Sequence, residues 1–351
     1  MTKVLVVDDS VFMRTVIRDM IAKDPSLEVV GTATDGLDAL KKIESLSPEV
    51  MTLDIEMPRM SGIELLEKIG KQPSRPRILM LSSLTEKDAE MTRRAIELGA
   101  DDFMLKPADL PRVRDIGDEL VRKIKHILTL PPLSSEVRQK KPAPTAHAEP
   151  AERVILIGSS AGGPQMLDEL LADLPAELPA GVVVTQHMPV GFTAALAARF
   201  NRISSMPVKE SENGDIIEKG RIIISKAGVH TIITRFVTDK GCTAGKIVHS
   251  SAPPVHGVRP AVDKTLVSAA QVYGKNSVVA VLSGMGNDAG EGALAVKNAG
   301  GRSFVCDEKD CLVYGMARSA ITHNAVDKVL PLNRMAMEIS RAVLKMEDTC
   351  V

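Results

Sequence analysis

The chain has 351 residues and carries 44 Lys plus Arg against 45 Asp plus Glu, a formal charge of −1; that balance suits neither a nucleic-acid polyelectrolyte nor an acidic tail. Its length fits two domains or one large one, and an apolar content of 44% excludes disorder throughout. With no Trp, two Tyr and six Phe, the cores must be aliphatic and a base-stacking surface is disfavoured.

Short apolar runs alternate with helix-period segments along the first half: a strand at 3–7, a helix from 11, a strand at 27–32, a helix from 36, a strand at 50–54 and a helix from 61. A strand at 77–82, a helix from 87, a strand at 103–105 and a helix from 110 complete five strand–helix units. This predicts an α/β domain over 1–128 with a flavodoxin-like, five-stranded parallel sheet. Residues 131–150 contain five Pro and few large aliphatics, so 129–151 reads as an extended linker. Residues 1–130 hold 20 basic and 23 acidic side chains, a net of −3, which leaves +2 for the rest. Neither half is polarised toward a charged polymer.

From 152 to 351 the alternation resumes: a strand at 154–157, a helix opened by Pro164, a strand at 182–185 and a helix from 190. A β-rich stretch over 207–249 interrupts as an inserted hairpin region, before a helix from 261, a strand at 278–283 and a helix after Asp288. A second doubly wound α/β domain with hydrolytic chemistry is expected. The four Cys form no C-x-x-C pair, which disfavours a disulfide framework or a zinc module. The N-terminus lacks the apolar run of about 7–15 residues of a signal peptide, and no stretch reads as membrane-spanning. The expectation is a cytoplasmic protein with no nucleic-acid partner and no membrane insertion.

Asp8, Asp9 and Asp54 fall at or just after the ends of the first and third strands, Ser82 ends the fourth, and Lys106 follows the fifth. In an open α/β sheet these ends form one crevice, and clustered carboxylates suit a hard cation such as Mg²⁺. A carboxylate, a cation, a hydroxyl and an ammonium are the parts of a phosphoryl-transfer site. Any one Asp here could simply cap a helix, but five compatible groups at four strand ends favour the site. The motifs Val6-Val7-Asp8-Asp9-Ser10, Leu53-Asp54-Ile55-Glu56-Met57-Pro58, Leu81-Ser82-Ser83 and Lys106-Pro107 resemble those of response-regulator receiver domains. The resemblance implies that Asp54 accepts a phosphoryl group from a histidine kinase and that Asp8 and Asp9, with Asp54, hold Mg²⁺. It makes Ser82 and Phe103 the switch residues and Lys106 the partner of the phosphoryl group.

In the second half, strand 154–157 runs into Gly158-Ser159-Ser160-Ala161-Gly162-Gly163 and then a helix. A strand, a G-x-S-x-G turn and a helix lift a serine out of the backbone, so Ser160 is the candidate nucleophile. A nucleotide cradle is the alternative, but the spacing is not G-x-G-x-x-G and the next strand ends in Gln186-His187 rather than an acid. His187 could supply the general base and Asp288 the orienting acid, and the glycine-rich turn at 283–288 could contribute an oxyanion hole. Taken singly, His187 could be a loop residue and Asp288 a helix cap. The order Ser, His, Asp is not that of the α/β-hydrolases. His230, His249, His256 and His323 show no metal-ligand spacing and read as structural, while His256-Gly257-Val258-Arg259-Pro260 could line a groove.

These motifs, with Gln186-His187-Met188-Pro189, Val258-Arg259-Pro260-Ala261-Val262-Asp263, Ser283-Gly284-Met285-Gly286-Asn287-Asp288 and Val313-Tyr314-Gly315-Met316, resemble the chemotaxis protein-glutamate methylesterase family. The resemblance implies an enzyme that hydrolyses glutamate γ-methyl esters on methyl-accepting chemotaxis receptors and deamidates receptor glutamines. It implies phosphorylation by the chemotaxis histidine kinase as the activating step, chemotactic adaptation as the outcome, and no cofactor for the ester chemistry. Nucleophile, base and acid fall on Ser160, His187 and Asp288, and Met285 matches the oxyanion-hole position. Departures from the family pattern stand near the site: Ser159-Ser160-Ala161 where Ala-Ser-Thr is common, and Ala289 where Gly is usual. The rival readings are a receiver-controlled binding module with a degenerate site and a transcriptional regulator; the second half shows no compact helix-turn-helix.

Overall fold

Val4, Leu5, Val6 and Val7 are apolar toward both faces, the pattern of a parallel strand covered by helices on each side, and in the computed structural model all four are fully buried. The structure describes residues 1–70, 72, 74–83, 85–106, 113–129, 149–239 and 241–346, the side chains of 86–88 and 113–116 excepted. Most of the expected linker, and Pro107, lie outside the described residues. The chain divides into two units, Met1–Gln139 and Lys140–Val351.

The first unit runs β1 (Thr2–Val7), α1 (Val11–Ile21), β2 (Leu27–Ala33), α2 (Gly36–Leu46), β3 (Val50–Asp54), α3 (Gly62–Ile69), β4 (Arg77–Ser82), α4 (Glu86–Leu98), β5 (Asp102–Leu105) and α5 (Val113–Thr129). The strands form one five-stranded sheet in the order β2-β1-β3-β4-β5, with every pair parallel. Ser10 caps α1 by accepting from the Met13 N–H, and Ser61 with Glu64 makes a reciprocal capping box at α3. Gly62 is fixed by space: a Cβ there would stand 2.1 Å from the backbone oxygen of Asp54. The start of α3 can therefore close directly onto the end of β3.

The second unit contains β6 (Val154–Ser159), α6 (Gly163–Asp173), β7 (Gly181–Gln186), α7 (Phe192–Ile203), β8 (Val208–Glu210), β9 (Ile222–Ile224), β10 (His230–Val237), β11 (Thr243–Ser250) and α8 (Val262–Tyr273). After these come β12 (Ser277–Val281), α9 (Gly290–Asn298), β13 (Arg302–Cys306), α10 (Gly315–Thr322), β14 (Lys328–Leu330) and α11 (Leu332–Leu344). A seven-stranded sheet runs β14-β13-β12-β6-β7-β9-β8, parallel throughout. Alternate residues of β6 serve opposite layers. Ile155 and Ile157 pack with Leu167, Phe200 and Ile339, while Val154 and Leu156 pack with Val262, Leu266 and Ala293.

The stretch 207–249 differs in detail from a simple inserted hairpin. β8 and β9 join the main sheet in parallel, and only β10 and β11 form an antiparallel ribbon. The structure also adds β13, α10, β14 and α11 after the expected helix, and α7 begins at Phe192 because Gly191 takes a left-handed φ of 89°. Among the described residues no helix is long and apolar enough to cross a membrane.

Candidate active site

The seven-stranded sheet reverses its winding between β12 and β6, and ligands of such sheets bind beyond the strand ends at that reversal. Ser160 follows β6, and Asp288 stands between β12 and α9. β7 pairs with β6 so that Gln186 faces Ser159, and His187, the next residue, comes up beside Ser160. The Ser160 N–H donates to the Ser283 carbonyl at 2.9 Å and the His187 N–H to the Ser159 carbonyl at 3.0 Å. The three segments are thus stitched together through their backbones.

Gln186, only 2% exposed, completes this frame. Its amide N–H groups donate to the carbonyls of Ser160 and His187, both at 2.9 Å. Its Oε1 accepts from the Ser159 hydroxyl at 2.6 Å. Ser159 is therefore a fully buried strand residue with its hydroxyl committed inward, whereas Ser160 sits half-buried in the turn. On the other side, the Ser283 hydroxyl donates to the Ala161 carbonyl at 2.6 Å and accepts from the Val313 N–H at 3.0 Å. Sequence reasoning gave Gln186 and Ser283 no role; their signal was polar residues at the ends of apolar strands.

His187 Nε2 lies 2.8 Å from Asp288 Oδ2. The same carboxylate accepts the backbone N–H groups of Val262 at 2.6 Å, Asp263 at 2.8 Å and Ala289 at 2.9 Å. Burial opposes its ionisation, but His187 and these N–H groups hold the Asp288 carboxyl below its ordinary range. It also stands at the N-terminus of α8, where the helix favours negative charge. With Nε2 facing Asp288, Nδ1 is the imidazole nitrogen turned away from that carboxylate. Met285 is 75% exposed, and its neighbour Gly284 abuts Ser160: a Cβ on Gly284 would stand 3.0 Å from Ser160 Cβ and 2.1 Å from Met316 Sδ. Four other histidines are held by local partners: His230 by the Pro253 carbonyl, His249 by Ser211, His323 by the Ser319 carbonyl and His256 by Asp263.

In the first unit the winding reverses between β1 and β3, and the expected acidic group lies there. Asp8 and Asp54 are buried and Asp9 is exposed, with one oxygen of each within 4.8 Å of the others. This all-oxygen donor set fits a hard divalent cation. Lys106 Nζ reaches Asp8 at 2.8 Å and Asp54 at 2.7 Å. Burial, together with the charge of Asp8, pushes the Asp54 carboxyl up to about 6 against the pull of Lys106. The Lys106 ammonium is held above its ordinary range by the two carboxylates, against its own burial. The Ser82 hydroxyl accepts from Thr92 Oγ1 at 2.9 Å. Phe103 is buried on β5, with Lys123 Nζ 5.9 Å from its ring centre.

The family described as CheB methylesterase matches residues 155–339, and the response regulator receiver domain matches residues 4–116. A protein-glutamate methylesterase/protein-glutamine glutaminase 1 of Methanospirillum hungatei is 53% identical over 347 residues, covering 99% of each chain. A protein-glutamate methylesterase/protein-glutamine glutaminase of Pyrococcus horikoshii is 39% identical over 97% of this chain and 93% of its own. The crystal structure of the Thermotoga maritima CheB methylesterase catalytic domain covers 54% of this chain and 97% of its own, at 36% identity and a TM-score of 0.51.

Proposed function

Because the chain belongs to the CheB methylesterase family and carries a response regulator receiver domain ahead of the catalytic one, we propose that it demethylates glutamate γ-methyl esters of chemotaxis receptors by a Ser160, His187, Asp288 mechanism. It is an enzyme, a protein-glutamate methylesterase. The observation that carries the mechanism is the 2.8 Å contact between His187 and Asp288 on the strand end next to Ser160.

In this reading the Ser160 Oγ attacks the ester carbonyl carbon while His187 Nδ1 takes its proton, and Asp288 stabilises the imidazolium. The oxyanion is received by backbone N–H groups of the 283–288 turn at Met285. The tetrahedral intermediate collapses, His187 protonates the departing methoxide, and methanol leaves. Water, deprotonated by His187, then attacks the acyl-enzyme and frees the glutamate carboxylate and Ser160. With a glutamine amide the leaving group is ammonia, so the same site serves deamidation.

The first unit, assigned to 1–128, acts as the regulator, 129–151 as the linker and 152–351 as the hydrolase. An Asp54 oxygen attacks the phosphorus of a phosphohistidine on the kinase, so that a P–O bond forms as the P–N bond breaks and the kinase imidazole leaves. Asp8, Asp9 and Asp54 would hold Mg²⁺, whose charge neutralises the phosphoryl oxygens when it is bound. Lys106 pairs with the new phosphoryl group, and Ser82 and Phe103 transmit its arrival. Substrate, kinase and enzyme meet in the cytoplasm, and the ester chemistry uses no cofactor.

The test is methanol release from methylated receptor membranes, with and without a small phosphodonor and Mg²⁺. Release should rise with phosphodonor in the wild type, stay at the basal level in Asp54→Asn and vanish in Ser160→Ala. Stimulation that persists in Asp54→Asn would remove the regulatory half of the reading.

A further inference from the structure

Asp263 and Asp288 cap each other's helices. Ala261, the residue before α8, offers no side-chain cap; Asp288 replaces it by accepting the Val262 and Asp263 N–H groups at 2.6 and 2.8 Å. In return Asp263 Oδ1 accepts the Gly292 N–H in the first turn of α9 at 2.7 Å. Two orphan donors at one helix end and one at the other are satisfied by this exchange. Any tilt of α8 against α9 must therefore displace the carboxylate that holds His187.

The other Asp263 oxygen lies 3.0 Å from His256 Nε2. His256 stands at the apex of a two-residue turn, closed by hydrogen bonds of 3.1 and 3.0 Å between Val255 and Val258. His256 and Gly257 both take left-handed φ values there, 53° and 77°. The charged or titratable groups that face the Asp263 carboxyl are Asp288, from the turn before α9, and His256; α9 itself presents the Gly292 N–H. The Asp263 side chain is 5% exposed and that of His256 33%. Two His–Asp pairs thus stand back to back, one at the nucleophile and one reaching solvent.

We propose that Asp263 is a positioning residue for the hydrolysis, locking Asp288 in line with His187 and linking that pair electrostatically to His256 at the surface. The proposal rests on the reading of Ser160, His187 and Asp288 as the catalytic group. The ionised Asp263 carboxylate adds negative charge behind Asp288 and favours the imidazolium that forms during attack, so kcat rises as Asp263 loses its proton. Burial, then the charge of Asp288, sets that step at about pH 6. The His256 hydrogen bond favours the ionised form and so moves the step to lower pH.

The experiment is the pH profile of kcat and KM for methanol release by the full-length protein, read beside ¹⁵N titration of the His187 imidazole. Asp263→Asn keeps an acceptor for Gly292 and loses the charge. It should lower kcat about tenfold with KM within about twofold, and remove the Asp263 step near pH 6 from the profile, leaving the step that follows the His187 imidazole in the ¹⁵N titration. His256→Ala should move the inflection to higher pH, and His256→Gln, which restores a donor, should bring it back toward the wild-type position. A wild-type profile in Asp263→Asn overturns the proposal, and so does a loss of thermal stability with no change of profile. If the wild type itself releases no methanol, the catalytic reading falls. The imidazole titration then decides the coupling alone: a displaced His187 curve in Asp263→Asn supports it and an unmoved curve ends it.

Discussion

Ser159 and Gln186 face each other across adjacent parallel strands, and the Ser159 hydroxyl donates to the Gln186 side-chain oxygen at 2.6 Å. Of two consecutive serines, one is thereby bound into the frame and the other left to the turn. Ser159→Ala should retain methanol release within about fivefold, because one neutral hydrogen bond contributes about 1 kcal/mol. Gln186→Leu frees the carbonyls of both Ser160 and His187 and should lower kcat by about 10–100-fold through misplacement alone. Activity lost in Ser159→Ala and kept in Ser160→Ala would reverse the nucleophile assignment.

Stability should depend on pH through Asp263. Its folded value of about 6 lies above the roughly 3.9 of an unfolded Asp. Between about pH 4 and pH 6 the unfolded chain has released a proton that the folded chain still holds, so this carboxyl makes the fold less stable as pH rises through that window. Allowing for solvent screening, the loss is about 1–2 kcal/mol. Urea unfolding of Asp263→Asn should therefore show a gain over the wild type that is larger at about pH 7 than at about pH 4. A difference that does not change with pH would contradict it.

Ala289 occupies a left-handed conformation, φ 82° and ψ −10°, at the N-terminal boundary of α9. A side chain there costs on the order of 1 kcal/mol, whereas glycine is free to adopt it. Ala289→Gly should raise the melting temperature slightly or leave it unchanged, the relief of strain outweighing lost chain entropy and a buried methyl. A drop equal to the ordinary Ala-to-Gly cost, about 0.5–1 kcal/mol, is the result that rejects this account.

Tyr273, 6% exposed on α8, accepts the Gly245 N–H of β11 at 2.7 Å through its hydroxyl. Tyr273→Phe keeps the packing and strands that N–H, at a cost of about 1–3 kcal/mol. Thermal or denaturant unfolding measures it directly. A neutral result would mean that the N–H finds another acceptor.

The parallel sheets were legible because runs such as 154–157 are apolar toward both faces, and that pattern requires helices on both sides. The strand ends were legible too, since Asp8, Asp54, Ser160 and His187 break those runs with polar chemistry. β8 and β9 were misread because three-residue strands, one containing Lys209 and Glu210, carry too little periodicity to reveal which sheet they join. Asp263 was hidden for another reason. Within a helix an acid two positions from the start reads as a favourable first-turn charge, and only the packing of α8 on α9 shows that it faces another carboxylate.

His187 and Asp288 are 101 positions apart in the chain, and Ser160 precedes both. At a synthesis rate of about 5–20 residues per second, a ribosome needs several seconds to travel from one to the other. During that interval Ser160 and His187 have been made but Asp288 has not. The contact between His187 and Asp288 therefore forms only once β12 has docked beside β6. Under the proposed mechanism, a nascent or truncated chain ending before that strand would present Ser160 without Asp288, and its hydrolysis would be slower by orders of magnitude.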